Sequence, residues 1–412
     1  TLNRATSPVQ PGSTIKPLSI YTAAIDTLEM TQSTVFSDAR GGYKFKENRK
    51  WNPSTTTAGA GNMTLRLGLA KSSNTVAVKT AENLGESYQD CIDVMMDYLK
   101  NFGITTVVDS KTNSSNTTDR SFPSLVLGGM AYGISPLEMS AAYGALANGG
   151  VYIEPTVFTT VSTYNGELIV KSTPQEHRVV DEEVAYVMTD MLKAVLTEGT
   201  GSDASIGKMP VAGKTGTTNN KYCVWFVGYT PYYVGATYIG DDVGRKDSNG
   251  NKIDLRPVEG SSSTTAKLWA NVMKPIHENL EVVDFEKPSG INFYKINLID
   301  GGLSSYGSNA AFVKGTSPTR TSSYSVPTPS NTGTTQDEPT NDNAGDGDNP
   351  PDDNTDNNND DNTNDNNNNN NQTPGGNQDE NNNGNNGNTG GGDNQDNTTP
   401  GDNGETNVGG IT

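Results

Sequence analysis

Histidine and cysteine are almost missing from this 412-residue chain, with two of each. Two cysteines, Cys91 and Cys223, cannot staple a chain of this length, so no disulfide framework is expected. Free buried thiols are the default and a single bridge is the alternative. His177 and His277 are the sole histidines, and no Gly-x-Ser-x-Gly elbow is present, which argues against a Ser-His-Asp hydrolase. Long apolar runs are lacking too, so no membrane span and no signal peptide can be read. The chain begins at Thr1 without Met and reads as a piece of something longer. The lack of an N-terminal anchor is therefore no argument for a cytosolic protein.

Basic residues are absent from the last stretch. Residues 321–412 hold 17 of the 48 acidic residues and none of the 29 basic ones, leaving 31 against 29 for the first 320. The formal charge of -19 is thus -17 from the tail and -2 from the body. A near-neutral body and a repelling acidic tail exclude nucleic acid as an expected partner. The tail is Asn, Asp, Gly, Thr, Gln and Pro with almost nothing apolar, and it cannot bury enough surface to offset the entropy of ordering. Residues 316–412 are expected to be a disordered, solvated spacer. Calcium loops do not fit: Asp342 to Gly347 lacks the third-place oxygen, and no segment closes with Glu at the right distance. No metal and no cofactor is expected.

What is present is periodic apolar pattern over residues 1–280. Helices are expected over Pro17–Asp26, in stretches within Met63–Leu84, over Tyr88–Phe102, over Ser135–Asn148 and over Asp181–Thr197. Ser135 would cap the fourth, with Pro136 at its first position and Gly149-Gly150 as its stop. Lys111–Arg120 reads as a polar loop. Met209–Lys214, Tyr222–Tyr229 and Tyr232–Ile239 are short and rich in Val, Tyr, Phe and Trp, which reads as an antiparallel meander. Asp247–Gly250 reads as a turn, Ala266–Leu280 as a closing helix and 281–315 as a linker with little structure. The sum is an α+β plan: an antiparallel sheet flanked by helices plus an all-helical lobe.

Three short motifs carry the chemistry. Ser13-Thr14-Ile15-Lys16 alone is weak, because Ser205-Ile206-Gly207-Lys208 has the same spacing. Context separates the two. Pro17 is tolerable only in a first helical turn, which places Ser13 at a helix N-terminus where free N–H groups favour developing negative charge. Lys16, three residues on, shares its face. A helix cap and a solvated lysine are the plain alternative. Ser72-Ser73-Asn74 is matched by Ser114-Ser115-Asn116, but only the first copy lies between apolar segments, where polar side chains need a purpose. A cap between two helices serves equally well. Lys214-Thr215-Gly216 occurs once, on a strand, where glycine marks a close approach and an edge lysine would block aggregation. In the order Ser13, Ser72, Lys214 the three supply a nucleophile, candidate bases, an amide and an anion-binding cation.

With these motifs the chain resembles the transpeptidase domain of penicillin-binding proteins, of the bifunctional class A type. The resemblance runs from residue 1 to roughly 290. Asn3-Arg4-Ala5-Thr6 before Gln10-Pro11-Gly12-Ser13, Leu127-Gly128-Gly129-Met130, Gly133–Met139, Thr197–Gly201 and Trp225–Pro231 extend it. The strand pair that precedes the Asn-Arg-Ala-Thr segment in the family is not in the chain, nor are a glycosyltransferase domain and membrane anchor. An incomplete sheet is expected.

The resemblance implies a serine D,D-transpeptidase that crosslinks peptidoglycan stem peptides ending in D-Ala-D-Ala and that binds β-lactam antibiotics covalently. Ser13 would be the nucleophile, Lys16 its base, Ser72 the proton bridge and Lys214 the neighbouring cation. Asn74 would hold the peptide amide, and Thr215, Gly216 and Thr217 the substrate carboxylate strand. The N–H groups of Ser13 and Thr217 would form the oxyanion hole. The place implied is the outer face of the bacterial cytoplasmic membrane, in the cell-wall compartment, with membrane contact only through an anchor outside this chain. A serine β-lactamase and a non-catalytic penicillin sensor are the rivals. The first lacks a Glu-x-x-Leu-Asn segment after Asn74 and the second lacks a signalling module.

Overall fold

A computed structural model describes residues 3–27, 29–45, 53, 61–110, 117–241, 251 and 254–324. The chain divides into two compact units, Thr1–Thr332 and Gly333–Thr412, and the described residues all belong to the first. The second Ser-x-Asn copy and the turn at 247–250 lie outside the described residues, as does the tail from 325.

The first helical segment is not the plain α-helix its sequence predicts. A 3-10 turn over Gly12–Ile15 passes into a π-helical turn over Pro17–Tyr21 and only then into α1, Thr22–Asp26. Pro17 is the physical reason. It has no N–H and its ring clashes with the carbonyl four residues back, which is that of Ser13. The backbone tightens before the proline and widens after it, and Thr22 returns its hydroxyl to the Pro17 carbonyl at 2.7 Å.

A short hairpin, β1 (Val35–Ser37) with β2 (Asn62–Thr64), leads into α2, Leu65–Ala70, and α3, Asn74–Ala81. The lobe continues with α4, Tyr88–Asn101, and α5, Phe122–Leu127. Helix α6, Pro136–Ala147, starts as predicted, with Ser135 and Glu138 capping each other's backbone. Two small strand pairs follow: β3 (Val151–Ile153) with β6 (Glu176–Arg178), and β4 (Thr160–Ser162) with β5 (Leu168–Lys171). Helix α7, Glu182–Thr197, is the buried spine of the domain, with ten side chains from Val184 to Val195 in the core.

The predicted meander is present as β7 (Ala212–Thr217), β8 (Cys223–Tyr229) and β9 (Val234–Gly240), paired antiparallel in that order. Every residue of β8 is buried because both faces are covered. Trp225, Val227 and Tyr229 join the main core with α6 and α7, while Phe226 faces α8, Ser262–Ile276, through Trp269. Helix α8 begins four residues before the predicted Ala266, since Ser261 and Thr264 cap its start. Cys91 and Cys223 are both free and buried. The α+β plan holds.

The region 281–315 is not a link with little structure. It carries β10 (Ile291–Ile296) and β11 (Ser308–Val313), a hairpin in the register Ile291↔Val313. A single carboxylate ties it to the core: Asp190 Oδ2 on α7 accepts the Ala311 N–H at 3.0 Å, the Gln32 amide at 3.0 Å and Arg66 Nη1 at 2.7 Å. Arg66 sits on α2, and its Nε reaches Glu198 Oε1 at 3.2 Å. Residues 316–324, expected in the tail, also belong to the body. Leu303 donates to Arg320 O and accepts from Ser322 N, both at 2.8 Å, and Asp300 accepts the Ser323 N–H at 2.8 Å.

Candidate active site

The three motifs meet where the helical lobe abuts the edge of β7. Two glycines make the contact possible. A Cβ on Gly12, whose φ is +53°, would lie 2.8 Å from Thr217 O, and one on Gly216 would lie 2.7 Å from Pro11 O and 2.8 Å from Thr14 Cγ2. Backbone therefore lies directly on backbone between the Ser13 turn and the strand. Trp225 Nε1 donates to Gln10 O at 2.9 Å and Tyr143 OH donates to Thr14 O at 2.7 Å, fixing the turn from both sides. Gly216→Ala should force these segments apart, costing about 1–3 kcal/mol of stability. Thermal denaturation checks it.

Ser72 follows α2 with φ at +58°, the left-handed region, which costs a non-glycine residue on the order of 1–3 kcal/mol. The turn it makes lets Ser73 cap α3, its hydroxyl accepting from Val76 N at 3.1 Å. Both sequence interpretations of the triplet thus apply, to different residues: Ser73 is the helix cap, while Ser72 and Asn74 face a cavity.

That cavity, about 440 Å³, is lined by Ser13, Ser72, Asn74, Thr215, Thr217 and Thr200, among others. A second, of about 240 Å³, shares Ser13, Asn74 and Thr217 and is walled by Pro123, Leu127 and Gly128. Beneath lie Lys16 and Lys214, both 0% exposed. Lys16 Nζ donates to Asn74 Oδ1 at 2.7 Å, Ser72 O at 3.0 Å and Ser73 O at 3.4 Å. Lys214 Nζ donates to Thr215 O at 3.0 Å. Burial, and then the Lys214 charge, holds Lys16 well below the usual lysine range. Burial alone brings Lys214 down to about 7. A neutral Lys16 amine keeps two N–H donors for its two shorter contacts and has a lone pair left to take a proton. Among the described residues, the Ser13 hydroxyl makes no hydrogen bond and is half-buried, so it is open to a reacting group.

The alternatives from sequence fall elsewhere. Ser205 follows a 3-10 turn over Ser202–Ala204 and opens no helix. His277 bonds Thr230 Oγ1 at 2.8 Å and Met273 O at 2.7 Å, and His177 bonds Asn101 O at 2.7 Å; neither lines the cavities at Ser13. No cluster of three metal-ligating side chains occurs among the described residues. Sequence reasoning missed Thr200, whose hydroxyl lies 2.5 Å from that of Thr215 in the cleft. Its signal is the Thr197–Gly201 segment, which marks the resemblance without singling out Thr200 as a site residue.

A serine and a carboxamide lining one cavity over two buried lysines, at the seam of a helical lobe and an antiparallel sheet, fit the serine acyltransferase class. The chain belongs to the penicillin binding protein transpeptidase domain family, which matches residues 1–252. Penicillin-binding protein 1A of Clostridium botulinum is 34% identical over 324 residues, covering 75% of this chain and 36% of the relative. Penicillin-binding protein 1A of Aquifex aeolicus is 33% identical over 322 residues, covering 77% and 40%. This chain therefore spans well under half of those relatives. The crystal structure of penicillin-binding protein 1A from Haemophilus influenzae superposes with a TM-score of 0.62 at 26% identity, covering 78% of this chain and 50% of that one. PonA1 of Mycobacterium tuberculosis, in complex with penicillin V, shares the fold with a TM-score of 0.55 at 20% identity, covering 70% of this chain and 74% of that one.

Proposed function

We propose that this chain is the D,D-transpeptidase unit of a peptidoglycan synthase, acting through an acyl-enzyme on Ser13. The observation that carries it is the shared cavity of Ser13, Ser72, Asn74, Thr215 and Thr217 above the buried amines of Lys16 and Lys214. Lys16 takes the Ser13 proton as the oxygen attacks the penultimate D-Ala carbonyl. The oxyanion is held by the N–H groups of Ser13 and Thr217, each donor supplying about 3 kcal/mol. The Ser72 hydroxyl passes the proton from Lys16 to the departing D-Ala amine. An amine of a second stem peptide then attacks the ester, the Ser13 C–O bond breaks, and the amine's proton passes through Lys16 to the departing Ser13 oxygen, which restores the serine and the neutral Lys16. Asn74 orients the donor amide, while Thr215 and Thr217 hold the terminal carboxylate, favoured by the charge of Lys214 beneath them. Gly216 keeps the strand close enough for this. Penicillins acylate the same oxygen, a reading supported by the penicillin binding protein family to which the chain belongs.

The work belongs at the outer face of the bacterial cytoplasmic membrane, among wall precursors. No helix among the described residues is long and apolar enough to cross a membrane. We assign the described body up to residue 324 to the catalytic unit, and none of the proposed chemistry to residues 325–412.

Intact-mass measurement after exposure to benzylpenicillin tests the assignment. One adduct is expected, mapping to Ser13, on the full chain and equally on a chain ending at Tyr324. A pentapeptide donor should release D-Ala in the presence of an acceptor amine. Rapid nitrocefin turnover would favour a β-lactamase, and an adduct without D-Ala release would favour a sensor.

A further inference from the structure

Beneath the turn that carries Ser72 and Asn74 lies a buried carboxylate with no part in the scheme above. Asp38 follows β1 and is fully buried. Its Oδ1 accepts the Ser73 hydroxyl at 2.5 Å. Residue 38 is itself held fast. Its N–H donates to Gly61 O at 2.8 Å, and Lys79 Nζ on α3 donates to the carbonyls on either side, Ser37 at 2.6 Å and Ala39 at 3.0 Å. The other oxygen, Oδ2, is buried without a hydrogen-bond partner among the described residues, and so is the hydroxyl of Tyr21. Burial, then the Asp38 charge, pushes the Tyr21 phenol up.

An unmet carboxylate oxygen in the core detracts from stability. Residues in the sparsely populated left-handed region persist only where their surroundings over-determine them. The two observations bear on adjacent residues, since the strained Ser72 immediately precedes the serine that Asp38 holds. Resting on the acyl-transfer assignment, we propose that Asp38 is a positioning residue: through Ser73 it locks the 72–74 turn so that the Ser72 carbonyl and the Asn74 carboxamide stay on Lys16 and the Ser72 side chain faces the cleft. A carboxylate accepts a hydroxyl proton more strongly than a neutral amide does.

The test is benzylpenicillin acylation of Asp38→Asn, measured with both the rate constant and the final stoichiometry of adduct. Full stoichiometry is expected, with acylation slower by about 10- to 100-fold and the non-covalent dissociation constant unchanged. Ser73→Ala removes the same bond from its other end, together with the α3 cap, and should slow acylation at least as much. The double variant should be no slower than the slower single one. Reduced stoichiometry with an unchanged rate in the remaining active molecules would mean a merely structural role and overturn the proposal. An unchanged rate at full stoichiometry, or independent slowing in the double variant, would also overturn it. Failure of the native chain to form any adduct would sink the acyl-transfer assignment first and this proposal with it, which separates the two failures.

Discussion

Ser13→Ala should abolish covalent labelling by benzylpenicillin and D-Ala release together. Removing the nucleophile of a serine acyl-transfer enzyme costs on the order of a million-fold in turnover, so the variant should show no adduct by intact mass. The fold should survive. The Ser13 hydroxyl bonds to no described residue, and the turn is fixed by its neighbours, through Gln10 to Trp225 and Thr14 to Tyr143. The thermal midpoint is therefore expected to match the native one. Ser205 should not take over, because it follows a 3-10 turn and opens no helix. An adduct that persists on Ser13→Ala would refute the assignment.

The second large effect belongs to Lys16. Lys16→Met fills similar space without a proton acceptor, and acylation should slow by about 10²- to 10⁴-fold, the usual contribution of a general base. The pH profile gives a sharper check. In the native chain the base works only as the neutral amine, so labelling rises with pH through the lowered range of Lys16. Lys214 serves the carboxylate only when charged. With its value near 7, labelling falls as pH rises past that point. A bell is expected, with its alkaline limb near neutrality rather than near 10. Lys16→Met should lose the acid limb and keep the alkaline one, and Lys214→Met the reverse. An acid limb intact in Lys16→Met would mean that another group is the base.

Much of this was legible in sequence because local chemistry announced it. Pro17 fixed where a helix could begin, Ser135 and Glu138 marked a cap, and the Val- and aromatic-rich runs marked the meander. What escaped depends on contacts between distant segments. Asp38 follows a three-residue strand and carries no motif, and it meets Ser73 only because a hairpin folds under the α2–α3 turn. Thr200 reaches Thr215 across the loop between α7 and β7. The β10–β11 pair was missed for another reason. Within β10 only Ile291 and Ile296 are buried, so the strand lacks the alternation that identifies one. The π turn after Pro17 has no sequence signature beyond the proline itself.

The carboxylate of Asp190 has a consequence for how the protein is made. A ribosome delivers Gln32, Arg66 and Asp190 long before Ala311, yet all four converge on one oxygen or its partners. The last of these donors comes from the β10–β11 hairpin, so a recombinant boundary set at residue 280 would take the Ala311 N–H away from a buried carboxylate that also holds Arg66 on α2.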